Sequence, residues 1–490
     1  MQSTSSECMV ETANFIRGKW CQSESGETFE VHDPASPDTI VGTFPASTVA
    51  DVRMAIDAAR EAAPEWGMTP APQRGALLRA AAKKLDTDRE ILTELLVREE
   101  GKTRIEAAGE VNRAVEIFYY YAEKTRELGG VRKPTSQRER MVEVRAVPLG
   151  TVALITPWNY PIAIPAWKLA PALAAGNSVL LKPASEAPHM AAALVGALET
   201  AGLPPGVVNL VTGSGSVVGA ELTSSRAIDA VSFTGSTAVG TAVAHQAAER
   251  LTRVQCEMGG KNPTVVMPSA DLDSAVEIVA GGGFGTTGQS CTACSRAIVH
   301  TDVLNSFIHA LIAHAEALTV GPGLSGADMG PQVSESELKS TLGYIERAKE
   351  EGATVATGGE KVMIPDAPDG HFVAPTIITD VDPDMEIAQS EVFGPVIAVL
   401  AVDSFDAAVE VANNVPYGLS ASIVTGDLSE AHRFTDRVEA GVVKINEKTT
   451  GLELHAPFGG FKDSSTNTYR EQGEAGLDFF SATKTVYINY

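Results

Sequence analysis

The sequence predicts an α/β protein built from more than one domain, and three observations carry that expectation. From Gly150 onward, short β-rich runs closed by Gly or Pro alternate with helix-like segments, the pattern of parallel strands joined by crossover helices. From Thr48 to about Gly130, apolar residues instead recur at three- and four-residue spacing, as amphipathic helices require. The chain has 490 residues, 44% of them apolar, enough for about three domains' worth of core.

Taken in order, residues 1 to 50 read as strands and loops, with turn signals at Asp33-Pro34 and Ser36-Pro37-Asp38. The helical region follows, in VRMAIDAAREAAPEWG, RGALLRAAAKKLDTDREILTELLVREEG and EAAGEVNRAVEIFYYYAEKTRELGG. RERMVEVRAVPLG alternates with charged partners and reads as a strand pair projecting from the body. TVALITP, NSVLLKP, VVNLVTG, AVSFTG and RVQCEMG are the candidate strands of a parallel sheet, which binds ligands at the carboxyl ends of its strands. A second set after Gly259 comprises NPTVVMP, SRAIVH, FVAPTIITDV, VIAVLAV, SASIVTG and VVKIN. The final run, SATKTVYINY, reads as an edge strand exposed unless something pairs with it, so oligomerisation through it is expected.

The formal net charge of −24 argues against binding nucleic acid or an anionic membrane surface, because the electrostatic term would be repulsive. Spread along the chain, it also suits a halophilic protein kept soluble in a salt-rich cytoplasm. Cys8, Cys21, Cys256, Cys291 and Cys294 are too few and too scattered for a disulfide scaffold. The first twenty residues show no secretory pattern, and no apolar run approaches the ~18 residues of a membrane span. A cytoplasmic location is expected.

One stretch organises the chemistry: Gly288-Gln289-Ser290-Cys291-Thr292-Ala293-Cys294-Ser295-Arg296. A lone cysteine is more often a packed core residue than a nucleophile. Cys291 is read as a nucleophile because further stretches fit the same chemistry. Ile155-Thr156-Pro157-Trp158-Asn159-Tyr160-Pro161, Phe233-Thr234-Gly235-Ser236, Glu257-Met258-Gly259-Gly260 and Glu391-Val392-Phe393-Gly394-Pro395 accompany it. In this order and spacing they resemble the aldehyde dehydrogenase superfamily, over nearly the whole chain.

The resemblance implies an aldehyde dehydrogenase-like fold. A Rossmann-like cofactor domain would span 1–130 and 150–258, an α/β catalytic domain 259–470, and a small β oligomerisation element 131–149 and 471–490. A homodimer or homotetramer is implied. Cys291 would be the nucleophile, Glu257 the general base that activates water, and the Asn159 amide with the Cys291 N–H the oxyanion donors. Aldehyde oxidation needs them together: the aldehyde carbon releases hydride only after a nucleophile has added, and the resulting thioester must then be hydrolysed. Members that pass the acyl group to coenzyme A lack this glutamate, so the free acid is the expected product.

No GxGxxG fingerprint follows the first strand of the set. By resemblance the cofactor lies along Ile155, Thr156, Pro157, Trp158, Lys182, Gly215, Gly219, Phe233, Thr234, Met258 and Gly259. Its phosphates would sit near Gly235 and Ser236, where a helix opens, and Glu391 and Phe393 would hold the nicotinamide end. Ser185 stands where NAD-preferring members carry glutamate. A hydroxyl beside Lys182 removes the repulsion of a 2′-phosphate, so NADP is expected with NAD tolerated.

Within the family, the segments Pro161–Lys168, Gly285–Gly288, Thr449–His455 and Ser464–Gly473 most resemble the branch acting on α-ketoglutarate semialdehyde (2,5-dioxopentanoate), in pentose degradation. Succinate semialdehyde or another aliphatic aldehyde is the alternative. The succinate branch places arginines at the positions of Trp167 and Gly285, and both are absent. Tyr160, Trp167 and Phe458 are the expected tunnel walls, with His455 and Lys448 as candidates for the substrate carboxylate. A cysteine hydrolase would share the acylation chemistry but leave the Phe233–Ser236 turn unexplained, and a retired scaffold would have lost Cys291, Asn159 or Glu257. Cys291 and Cys294 form a CxxC, but neither a thioredoxin-like unit nor a second metal-ligand pair accompanies it, so no metal is expected.

Overall fold

The computed structural model describes residues 12–490. Cys8 and the segment read for secretory signals lie largely outside the described residues. Two seven-stranded sheets carry the fold. In the first, Arg253–Glu257, Ala230–Thr234, Thr151–Ile155, Ser178–Lys182 and Val208–Leu210 run parallel in that order. The antiparallel hairpin of Asn14–Ile16 and Lys19–Cys21 completes it. Strands Thr151–Ile155, Ser178–Lys182 and Ala230–Thr234 are buried throughout, which explains why they read as unbroken apolar runs rather than alternating ones.

The second sheet orders Thr354–Thr357, Thr376–Thr379, Val396–Val402, Cys294–His300, Asn262–Val266, Ser420–Val424 and Val442–Ile445. All but the first are parallel. Thr354–Thr357 is too short and too exposed to leave a pattern in the sequence.

The four helices of the N-terminal region begin at recognisable signals. Val49–Met68 and Arg104–Lys124 each start with a full capping box, Thr48 with Asp51 and Thr103 with Glu106. Their apolar faces pack with Ala163–Ala175 and His189–Thr200 over the first sheet.

RERMVEVRAVPLG is not a strand pair. Most of it is the single strand Arg140–Pro148, paired with Gly130–Lys133 on one side and Ser481–Asn489 on the other. Alternation marks a strand but not its partner, and one partner lies at the far end of the chain. The terminal strand is thus paired along one edge over nine residues and open along the other. Just before it, the helix Gly473–Phe479 packs on Ala163–Ala175, and Gly473 O accepts a 3.0 Å hydrogen bond from the Tyr121 hydroxyl.

Candidate active site

The carboxyl ends of the first sheet's strands supply most of the site. Thr151–Ile155 runs into Thr156–Asn159, Ala230–Thr234 into Gly235 and Ser236, and Arg253–Glu257 ends on Glu257 itself. Cys291 comes from the loop before Cys294–His300.

That loop is held under backbone strain. Thr286, Thr287 and Gly288 all carry left-handed backbone, with φ of 50°, 57° and 68°, which is costly for a threonine. At Gly288 a Cβ would lie 2.1 Å from Gly394 O. Glu106 Oε1 accepts from Thr286 N at 2.6 Å, and Gln332 Nε2 donates to Thr287 O at 3.2 Å. Asn262 Nδ2 donates to Cys291 O and Ala293 O at 2.8 and 2.9 Å, fixing the chain at and just after Cys291.

Asn159 Nδ2 donates to Gln289 O at 3.0 Å, which leaves its second amide hydrogen for an oxyanion. The Asn159 carbonyl accepts from Lys102 Nζ at 2.8 Å. Lys102 also donates to Glu110 Oε2 at 2.6 Å and lies 4.6 Å above the Tyr160 ring. Glu110 Oε1 in turn accepts from Ile162 N and Ala163 N at 3.0 and 3.1 Å. A fully buried ion pair therefore braces both sides of the Asn159 turn.

Glu257 is buried, with Oε2 accepting from Gly460 N at 3.2 Å and Oε1 without a partner among the described residues. Desolvation, then the neighbouring Glu471, raises its pKa well above the carboxylate range, against the pull of Lys168 and Arg470. Lys168 pairs with Glu471 and donates to Ser232 Oγ at 2.7 Å. Burial, reinforced by Glu391, Glu257 and Glu471, pushes the Cys291 thiol up.

Two connected recesses hold the predicted cofactor residues. An inner cavity of about 230 Å³ is lined by Asn159, Met258, Gly259, Cys291, Glu391 and Phe393, among others. A groove of about 630 Å³ carries Ile155, Thr156, Lys182, Ser185, Gly215, Gly219 and Phe233. Pro157, Trp158, Thr234, Gly235 and Ser236 border both.

The lining fits a dinucleotide. Helix Thr237–Ala248 opens at Ser236, whose hydroxyl does not cap it, so first-turn donors remain for phosphate. The buried Thr156 and Thr234 hydroxyls have no partner among the described residues. Trp158 and Phe393 meet edge to face at 5.2 Å. Glu391 accepts from Gly260 N at 3.0 Å, and burial pushes its carboxyl up to about 7. It packs so closely on Gly259 that a Cβ there would come 2.1 Å from Oε2. A larger cleft of about 980 Å³ shares only Ser185 with the predicted residues.

The predicted substrate residues do not line the cavity around Cys291. Trp167 and Phe458 form an aromatic pair, with ring centroids 6.2 Å apart. Trp167 Nε1 donates to Glu471 Oε2 at 2.8 Å, so this pair connects to Glu257 through the buried acid. Tyr160 lies beneath Lys102, adjoining Asn159. His455 is exposed, 3.9 Å from Glu453 Oε2, and Lys448 is exposed beside Gly281. Sequence reasoning missed Lys102, Glu110, Lys168, Asn262 and Glu471, of which only Lys102, in Glu100-Gly101-Lys102-Thr103, stands in a recognisable turn.

Among known proteins, the aldehyde dehydrogenase family model matches residues 20–486. The chain belongs to the aldehyde dehydrogenase family. It is 58% identical to alpha-ketoglutarate semialdehyde dehydrogenase of Haloferax volcanii, covering 97% of this chain and 99% of that one. It is 44% identical to 2,5-dioxopentanoate dehydrogenase of Saccharolobus solfataricus, covering 96% and 98%. Among solved structures, betaine aldehyde dehydrogenase of Staphylococcus aureus in complex with NAD+ superposes with a TM-score of 0.95 at 34% identity, covering 98% of this chain and 94% of that one. This aldehyde dehydrogenase accordingly uses a nicotinamide cofactor, and both recesses gather the residues expected to hold it.

Proposed function

We propose that the chain oxidises α-ketoglutarate semialdehyde to 2-oxoglutarate with NADP, in the cytoplasm, as a step of pentose degradation. The observation that carries the chemistry is Glu257, a buried carboxylate with one unpartnered oxygen, set at the strand end beside the Cys291 cavity. The substrate follows the two archaeal relatives.

In this reading the Cys291 proton leaves to solvent and Sγ adds to the aldehyde carbon, so Glu257 is still in its base form when the thioester is made. The oxyanion accepts from Asn159 Nδ2 and the Cys291 N–H, donors typically worth ~10²–10³ in rate each. A nicotinamide held near Glu391 and Phe393 would supply the hydride acceptor, and loss of hydride from the adduct would leave a thioester on Cys291. Glu257 then takes a proton from water, hydroxide adds to the thioester carbon, the C–S bond breaks, and the acid leaves as the thiol re-forms.

NADP preference rests on Ser185 and Lys182. Ser185 Oγ lies 3.3 Å from Gly213 O, and Lys182 Nζ donates to Pro183 O at 3.0 Å. Burial depresses the Lys182 ammonium to about 8, leaving a cation that gains from an added phosphate. Ser185→Glu is expected to lower kcat/KM for NADP relative to NAD roughly ten- to hundredfold. An unaltered ratio would dismiss this assignment. The open edge of Ser481–Asn489 is the proposed oligomer contact.

The test of the whole reading is nucleotide reduction by the purified enzyme at high salt, with α-ketoglutarate semialdehyde and succinate semialdehyde offered separately. A preference of roughly tenfold for the first, about 1.4 kcal/mol in the transition state, supports it. A preference for succinate semialdehyde overturns the substrate while the mechanism stands.

A further inference from the structure

A semialdehyde with a carboxylate at its far end needs fixed donors, and positions 167 and 285, arginine in the succinate branch, are Trp167 and Gly285 here. Arg113 is placed to supply such donors. It lies on Arg104–Lys124, which packs against Ala163–Ala175, the helix that bears Trp167. Its guanidinium is half-buried, yet it forms no ion pair among the described residues. Exposed Glu453 acts on it only at longer range. Its hydrogen bond runs from Nη2 to Gln472 Oε1, at 3.1 Å.

That bond fixes the orientation of the Gln472 amide, because a guanidinium can only donate and must face the oxygen. Gln472 Nε2 is then left buried with no partner among the described residues, in a side chain from a residue only 1% exposed. A buried amide donor without an acceptor is costly, because its desolvation goes uncompensated. The residue also holds left-handed backbone, with φ of 62°, a strained conformation for glutamine. An unpaired guanidinium, an orphaned amide and local strain thus coincide at one point.

The point adjoins the aromatic pair. Glu471, next to Gln472, accepts from Trp167 Nε1, and its backbone exchanges two 2.7 Å hydrogen bonds with Phe458. The same Glu471 acts electrostatically on Cys291. We propose that Arg113 and the Gln472 amide grip the far end of a 2-oxo-acid semialdehyde, the guanidinium holding the carboxylate and Nε2 donating to the adjacent ketone oxygen. This deepens the substrate reading above and rests on it for the ketone. It also explains how the chain dispenses with arginine at 167: Trp167 shapes the passage and the charge is supplied from the neighbouring helix.

The test compares Arg113→Met, Arg113→Lys and Gln472→Leu with the parent enzyme on α-ketoglutarate semialdehyde, glutarate semialdehyde, succinate semialdehyde and pentanal. Arg113→Met should reduce selectivity for the carboxylated aldehydes over pentanal roughly ten- to hundredfold, mainly through KM. Arg113→Lys should recover part of it. Gln472→Leu should narrow the preference for α-ketoglutarate semialdehyde over glutarate semialdehyde, which lacks the ketone. Equal losses on pentanal and the carboxylated substrates would show a structural staple and overturn the proposal. If the parent enzyme prefers succinate semialdehyde and Arg113→Met still erases that selectivity, the arginine grip stands and the substrate reading falls. If the parent does not discriminate carboxylated from neutral aldehydes, both fall.

Discussion

Glu257→Gln is expected to yield an enzyme that forms about one reduced nucleotide per site in the first turnover and then stalls as a thioester, with steady-state kcat down ~10²–10⁴-fold. The glutamine keeps the size of the side chain and can still accept from Gly460 N, so the site should remain assembled. What it removes is the acceptor for the proton of water. The sign of the pH dependence follows from burial beside Glu471, which raises the Glu257 pKa. The base form is scarce at low pH, so deacylation in the parent enzyme should climb with pH through a window above ~4.3, the ordinary glutamate value. Stopped-flow measurement of the burst and the following steady state resolves the two phases. Unimpaired turnover by Glu257→Gln would remove the residue from the role.

The second large effect is expected at Lys102, which touches no substrate. Lys102→Met leaves Glu110 buried without its cation, and breaking one side of a buried pair costs about 3–5 kcal/mol. Glu100, 3.6 Å from the same ammonium and already pushed up to about 8 by burial, becomes harder still to ionise. The Asn159 carbonyl loses its donor in the same step, so kcat should fall beyond what loss of folded enzyme explains. Adding Glu110→Gln to Lys102→Met removes the orphaned charge and should recover part of the stability in denaturant unfolding. It should not recover kcat, because the Asn159 carbonyl remains unheld. Recovery of both together would mean that Lys102 serves the fold alone.

These two positions differ in how they could be read from the sequence. Glu257, Cys291 and Asn159 stand in short motifs whose resemblance to the family is visible residue by residue. The strands ending at Ile155, Lys182 and Thr234 were legible too, since each is an apolar run closed by Gly or Pro. Lys102 reaches Asn159 across 57 positions, and Arg113 reaches Gln472 across 359. Such pairs leave no local period or spacing, so only the folded chain reveals them. The same holds for Arg140–Pro148, whose alternation announced a strand but whose second partner is the last strand of the chain. His455, read from its local company as a tunnel border, lies exposed beside Glu453.

The carboxylates around Cys291 bear on the durability of its sulfur. Peroxides and electrophiles attack thiolates rather than thiols, and Glu257, Glu391 and Glu471 all oppose ionisation there. Disfavouring the thiolate slows sulfenic acid formation at that sulfur. The carboxylates around Cys291 would therefore also slow its oxidative ageing.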